Sequence, residues 1–249
     1  MTRHILSALA LGLTFATPAA ALDLNEMSVS ETDAFGAQVR AYLLENPEVI
    51  FEAVAVLEQR QEQLAAANDT DLLDTHADAI FNDPQSWVGG NPEGDITIVE
   101  FMDYRCGYCR KAFPEVSELI ASDGNIRLIV KELPILGEGS VLASRFAIAT
   151  LQVLGADAYE AVHDALMVYN GEVAEPGLRR LAEALDLDTD AIMAAMDSDD
   201  VTAVITANRA LAGQLDISGT PSFVMHNQML RGYVPLEGMQ QIVASIRAE

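Results

Sequence analysis

The sequence is poor in positive charge and in cysteine. It has 14 Lys and Arg residues against 38 Asp and Glu residues among 249, so the formal net charge is −24 at pH 7. A field of that sign repels phosphate groups, which makes nucleic acids and anionic membrane surfaces poor partners. The 2 cysteines are three positions apart in the chain. They are therefore a local pair and exclude a scaffold of disulfide staples.

Long apolar runs are also scarce, and the only one is N-terminal. Residues 5–15 are mostly apolar, Arg3 precedes them, and three alanines follow at 19–21. This pattern is typical of a signal peptide, predicted here as residues 1–21, and the run is shorter than the roughly 20 residues that span a bilayer. A buried N-terminal helix is the alternative. We expect an exported, soluble mature chain that begins at Leu22 and lies where disulfides are made.

The first part of the mature chain, residues 22–66, is predicted to be helical. Ser30 with Asp33 suggests a helix cap, and Asn46-Pro47 predicts the end of one helix and the start of the next. The second helix carries residues at alternating spacings of four and three, as in a coiled coil, and we call them the seam: Ile50, Val54, Leu57, Gln61 and Leu64. An exposed seam would leave an apolar patch in water, so this segment is predicted to oligomerise.

Residues 67–83 are predicted to be a helical or partly flexible connector, and residues 84–249 an α/β domain. Apolar, β-branched runs predict two strands buried on both faces, at 96–102 and 126–132. A short strand at 87–88 precedes them, and a hairpin at 222–225 and 229–233 follows. Helical periodicity predicts helices at 110–121 and 236–248 and a long helical insertion at about 140–215. The expected fold is an α/β sheet with a helical insertion.

The two cysteines stand in the motif Cys106-Gly107-Tyr108-Cys109, directly between a predicted strand and a predicted helix. Unpaired backbone N–H groups and the helix dipole stabilise a thiolate at Cys106, and Cys109, one turn later, can resolve a mixed disulfide. A structural disulfide is disfavoured because so small a loop constrains the unfolded chain little. A zinc site is disfavoured because four ligands are needed and the histidines are scattered. A Cu(I) site made by the two thiols stays open.

A second motif, Thr220-Pro221, precedes an apolar strand. A proline that enters a strand lies at an edge, at a bulge or after a cis bond. A cis bond would leave the Thr220 backbone free to pair with an extended substrate, whereas a trans turn is the default alternative.

These motifs, together with the helical insertion, resemble the DsbA-like branch of the thioredoxin superfamily over about residues 83–249. The segment from Phe35 to Glu58 resembles the N-terminal domain of ScsC-type proteins, which trimerise and act as disulfide isomerases. The resemblance implies a thioredoxin-like fold and an exported, periplasmic thiol-disulfide isomerase. It also implies secreted protein substrates, a membrane redox partner, a homotrimer and no cofactor or metal. The alternative is a copper-binding or client-holding protein that uses the same thiols.

The resemblance also assigns roles to single residues. It implies that Cys106 is the nucleophile, that Cys109 is the resolving thiol, and that Pro221 is cis with Thr220 tuning the thiol. Glu100 and Lys131 match a buried charged pair near the active site, with an ordinary strand-end ion pair as the alternative. This chain has Gly107-Tyr108 where the strong oxidase DsbA has Pro-His, which favours disulfide shuffling over strong oxidation.

Overall fold

The computed structural model describes residues 26–248, so the predicted signal peptide lies outside the described residues. The chain divides into two compact units between Gln61 and Glu62. Among residues 26–248, no helix has both the length and the apolar character that crossing a membrane requires.

Two helices, α1 (Val29–Glu45) and α2 (Glu48–Thr75), open the described chain, and the break between them falls at Asn46-Pro47 as predicted. The predicted cap is wrong by two positions. Ser28 caps α1: its hydroxyl accepts a hydrogen bond from the Glu31 amide, and its own amide donates to the Glu31 carboxylate at 2.8 Å. Glutamate reaches back across a helical turn to the cap amide, which favours this pair over Ser30 and Asp33 inside the helix.

The predicted connector is helical. α2 continues to Thr75, and a short helix, α3 (Ala77–Phe81), follows it. Leu73 and Ile80 are buried in a hydrophobic cluster with residues of the sheet. The second half of α2 and α3 therefore contribute to the core of the second unit.

The second unit is built on a five-stranded sheet with the order β1-β3-β2-β4-β5. β2 and β3 pair in parallel, and the other neighbouring strands pair antiparallel. The strands are β1 (Trp87–Gly90), β2 (Ile96–Met102), β3 (Ile126–Glu132), β4 (Ser222–Met225) and β5 (Gln228–Arg231). β2 and β3 match the predicted strands, since both are apolar runs with helices packed on either face.

Helices cover both faces of the sheet. The predicted helical insertion is present between β3 and β4. The helices of this unit are α4 (Gly107–Asp123), α5 (Glu138–Leu154), α6 (Ala156–Val168), α7 (Glu175–Ala184), α8 (Thr189–Ala195), α9 (Asp199–Gln214) and α10 (Leu236–Ile246). One face packs against α4, α10 and the insertion, and the other packs against Leu73, Ile80 and the end of α9. The result is the thioredoxin-like α/β architecture that the sequence predicts.

Candidate active site

Cys106 lies at the N-terminus of α4, in the loop that follows β2. It is the N-cap residue, and its amide donates to the Asp103 carbonyl at 3.0 Å. The free N–H groups of the first helical turn lie at this end of α4, so they favour negative charge on the sulfur. Cys106 keeps 7 % of its surface exposed, whereas Cys109 keeps none. Cys106 is thus the thiol of the pair that a substrate reaches first.

The Thr220-Pro221 loop lies against Cys106, as predicted. The bond between these residues is cis. The thiol of Cys106 donates to the Thr220 carbonyl oxygen, with a sulfur to oxygen distance of 3.1 Å. β4 begins directly after the loop and pairs with β2, with Ser222 opposite Phe101. The sheet therefore brings together two motifs that are far apart in the chain.

Cys109 lies in the first turn of α4 and is completely buried. Burial raises the pKa of its thiol far above the usual range, and the nearby charges of Glu100 and Cys106 raise it further. Hydrogen bonding with the Asp103 backbone and with the Thr220 side chain lowers this pKa, but by less than burial raises it. Cys109 is therefore held as a neutral thiol.

Glu100 lies on β2 and is 3 % exposed, and its Oε1 atom has no hydrogen-bond partner. Burial raises the pKa of this carboxyl to about 8. It is close enough for its charge to raise the pKa of Cys109. A carboxyl with a pKa near the working pH can accept and return a proton, which suits it to serve the buried thiol.

Lys131 is buried, but the predicted pair with Glu100 is wrong. Its ammonium group donates to the Asp83 carboxylate at 2.7 Å and to the Ser86 hydroxyl at 3.1 Å. Strand side chains alternate between faces, and Lys131 is in register with Phe101, one residue beyond Glu100. Ile98 and Met102, which share the Glu100 face of β2, pack in the cluster that holds both cysteines. Phe101, the register partner of Lys131, packs in the cluster on the opposite face. Lys131 is therefore not part of the site.

Asp103 is a site residue that the sequence reasoning missed. Its buried carboxylate accepts hydrogen bonds from three backbone amides, those of Arg105 at 2.8 Å, Ile135 at 2.8 Å and Leu136 at 3.1 Å. These bonds hold the loop before Cys106 against the loop that follows β3. The signal that could have identified it is an aspartate directly after a buried strand, where its side chain can accept a hydrogen bond from the amide two residues further on.

Within residues 26–248, no group of three or more His, Cys, Asp or Glu side chains is arranged to hold a metal ion. The arrangement at α4 instead offers a slightly exposed thiol at a helix N-terminus, a completely buried thiol in the next turn and a backbone carbonyl beside the first thiol. This geometry suits the exchange of disulfide bonds.

Comparisons with known proteins agree with this chemistry. Residues 97–244 match the family model of the DSBA-like thioredoxin domain, and residues 31–63 match that of the copper resistance protein ScsC N-terminal domain. A thioredoxin-like oxidoreductase from Silicibacter pomeroyi is 45% identical, with a TM-score of 0.65, and the match covers 69% of this chain and 98% of that one.

Two further solved structures are similar. A linker-deletion mutant of Proteus mirabilis ScsC is 25% identical with a TM-score of 0.68, over 89% of this chain and 97% of that one. A periplasmic thioredoxin-like protein from Salmonella enterica serovar Typhimurium is 26% identical with a TM-score of 0.63, over 70% of this chain and 96% of that one.

Among curated proteins, Na(+)/H(+) antiporter NhaA 3 of Salinispora tropica is 30% identical over 158 residues. The match covers 64% of this chain but only 24% of the antiporter, so the chain spans about a quarter of that relative. The family match over residues 97–244 and the thiol geometry lead to one conclusion: the chain belongs to the DSBA-like thioredoxin family and is of the thiol-disulfide oxidoreductase type.

Proposed function

We propose that this protein is an exported, periplasmic disulfide isomerase that acts on secreted proteins. The observation that carries the proposal is the pairing of Cys106, slightly exposed at the start of α4, with a completely buried Cys109. The high pKa of Cys109, raised by burial, keeps it a thiol and so delays its attack on a mixed disulfide. That delay gives a client time to rearrange, which favours isomerisation over net electron transfer.

The exchange begins when the Cys106 thiolate attacks one sulfur of a client disulfide. A bond forms between Cys106 and that sulfur, the client disulfide breaks, and the second client sulfur leaves as a thiolate. A different client thiolate then attacks the client sulfur of the mixed disulfide. A new client disulfide forms and Cys106 leaves as a thiolate, so nothing is oxidised or reduced overall.

The alternative branch uses Cys109. Its thiolate attacks the Cys106 sulfur, a Cys106–Cys109 disulfide forms, and the client leaves as a dithiol that has gained two electrons. We propose that Glu100, whose charge acts on the pKa of Cys109, takes the proton that Cys109 loses. A reducing partner in the membrane must then return the pair to the dithiol form.

The N-terminal helices support an oligomer. The four apolar residues of the seam are exposed by 52% (Ile50), 45% (Val54), 55% (Leu57) and 72% (Leu64). Each buried leucine or isoleucine contributes roughly 1.5 to 3 kcal/mol, so burying several copies of the seam offsets the entropy of association. We propose a homotrimer whose catalytic units face one client.

Replacing a seam leucine by lysine tests the proposal in the full-length chain. Leu57→Lys should yield a monomer by light scattering because a charge in the seam opposes association. It should lose the ability to reshuffle a scrambled disulfide substrate but keep the oxidation of a dithiol peptide. Val56→Lys is the matched control, since Val56 is adjacent and 48% exposed but lies outside the seam. The proposal fails if the wild-type protein is monomeric or if Leu57→Lys reshuffles normally.

The thiol assignment has its own test. Alkylation of the reduced protein at mildly acidic pH should label Cys106 well before Cys109, and Cys109→Ser should accumulate a mixed disulfide with the client. Equal labelling of the two thiols would contradict the assignment. Titration of the reduced protein with Cu(I) tests the alternative function, copper binding by the two thiols.

A further inference from the structure

A buried polar cluster lies next to the active-site loop and takes no part in the exchange described above. Tyr104, two residues before Cys106, donates its hydroxyl to Oε1 of Glu132 at 3.0 Å and lies 3.1 Å from Nδ1 of His163. Tyr159 donates to the same Glu132 oxygen at 2.9 Å. All four residues are buried. Glu132 ends β3, while Tyr159 and His163 lie one turn apart on α6 of the insertion.

The cluster is held by hydrogen bonds between neutral groups. Burial raises the pKa of the Glu132 carboxyl to about 8, although the Tyr159, Tyr104 and Ser144 hydroxyls act to lower it. Burial also lowers the pKa of the His163 imidazole to about 4. Near neutral pH the carboxyl is protonated and the imidazole is uncharged. The role of the cluster is therefore geometric rather than a contribution of charge.

α6 also contacts the chain on the C-terminal side of the cysteine motif. Arg110, directly after Cys109, donates its Nε to the Met167 carbonyl at 2.7 Å and its Nη2 to the Tyr169 carbonyl, both at the end of α6. Phe113 of α4 packs edge-on against the His163 ring, with 5.6 Å between ring centroids. α6 thus contacts the chain on both sides of the motif.

We propose that Tyr104 is a positioning residue for Cys106, because its hydroxyl, held by Glu132 and His163, fixes the active-site loop against α6. The Tyr104 hydroxyl does not touch the reacting sulfur. It acts by limiting the positions that the loop, and with it the helix N-terminus around Cys106, can take. The inference rests on the proposed function only in taking Cys106 as the reactive thiol.

Tyr104→Phe tests this inference, and Tyr159→Phe is its matched control. Each change removes one buried hydroxyl that donates to Oε1 of Glu132, and the Tyr104 hydroxyl alone also meets Nδ1 of His163. Only Tyr104 belongs to the active-site loop. In the full-length reduced protein, Tyr104→Phe should slow alkylation of Cys106 near neutral pH by about threefold or more, because catalytic geometry is sensitive to small displacements. It should also shift the thiol-disulfide equilibrium with glutathione.

Tyr159→Phe should leave both measurements within about twofold of the wild-type protein. Equal effects of the two variants would show that the cluster only stabilises the core, and an unchanged Cys106 in Tyr104→Phe would also overturn the inference. If Tyr104→Phe does not fold, His163→Phe removes the second partner of the Tyr104 hydroxyl and keeps an aromatic ring in place. An unchanged alkylation rate in that variant would overturn the inference in the same way.

These readouts are independent of the oligomer and of isomerase activity. If Leu57→Lys reshuffles disulfides normally, the proposed function fails and the role of Tyr104 stands. If the alkylation rates do not separate the two tyrosine variants, the role of Tyr104 fails and the proposed function stands.

Discussion

The two units of the chain differ in whether they bury their apolar side chains. No residue between 26 and 61 is buried, although α1 and α2 carry many large apolar residues. The second unit buries two hydrophobic clusters, one on each face of its sheet. Local signals such as a capping box and an Asn-Pro break are enough to form helices, but a stable fold needs apolar faces to be covered. The proposed oligomer would cover the apolar faces that the first unit leaves exposed.

The contrast is sharpest within one helix. Leu57 and Leu73 both lie in α2, yet Leu57 is 55% exposed and Leu73 is 4% exposed. Leu73 packs with strand residues such as Phe101, whereas Leu57 lies in the proposed oligomer seam. The same residue type is thus buried in the core in one half of the helix and exposed in the other, where we propose that a partner chain covers it.

The largest effect is expected from truncating Leu73, with truncation of Leu57 as its comparison. Leu73→Ala should lower the free energy of unfolding of the second unit by about 2 to 5 kcal/mol, because it leaves a cavity in the core. Leu57→Ala should change it by less than about 0.5 kcal/mol while weakening association. Trp87, the only tryptophan, lies in the second unit, so its fluorescence during urea unfolding reports on that unit. Equal losses of the free energy of unfolding in the two variants would contradict the contrast between Leu57 and Leu73.

The pH dependence of stability is expected to come from the buried unit. The pKa of Glu100 is raised by burial to about 8 from an ordinary value of 4.5, so the folded state binds more protons than the unfolded state between these values. The free energy of unfolding should therefore fall by about 3.5 kcal/mol between pH 5 and pH 8 on account of this group. Glu100→Gln should remove that part of the fall, as measured by urea unfolding across this range.

Glu118→Gln is the control for this measurement, because Glu118 is an exposed glutamate on α4. It should leave the slope of stability against pH unchanged. The assignment to Glu100 is wrong if Glu100→Gln and the wild-type protein lose stability in parallel as the pH rises.

The smallest effect is expected at the cap of the first unit. Ser28→Ala should destabilise α1 by about 1 kcal/mol because it removes the hydroxyl of the capping box. Circular dichroism should show a loss of helix, with no change in the unfolding of the second unit reported by Trp87. Ser30→Ala, inside the helix, is the control and should have a smaller effect on helicity. A larger loss of helix in Ser30→Ala than in Ser28→Ala would support Ser30 as the cap, as the sequence suggested.

The central strands and the thiol site were predictable because their signals are local. The runs at 96–102 and 126–132 are apolar enough to be strands buried on both faces, and both match the structure. The structure brings together the two motifs that the sequence singled out, the cysteine motif between a strand and a helix and Thr220-Pro221 before a strand. The catalytic roles of their residues stay predictions. The domain boundaries, the signal peptide and the oligomeric state stay predictions.

Local sequence by itself determined which segments form strands and helices and which thiol lies at a helix N-terminus, because these properties depend on neighbours within a few turns. Only the tertiary structure decided the partners of the buried polar groups. Strand register separates Lys131 from Glu100 by placing them on opposite faces, and Asp83 from a distant loop becomes the partner of Lys131. Packing of α6 against the end of β3 likewise decides that Tyr104 meets Glu132 and His163. Such partners lie far apart in the chain, so only the register of the sheet and the packing of helices bring them together.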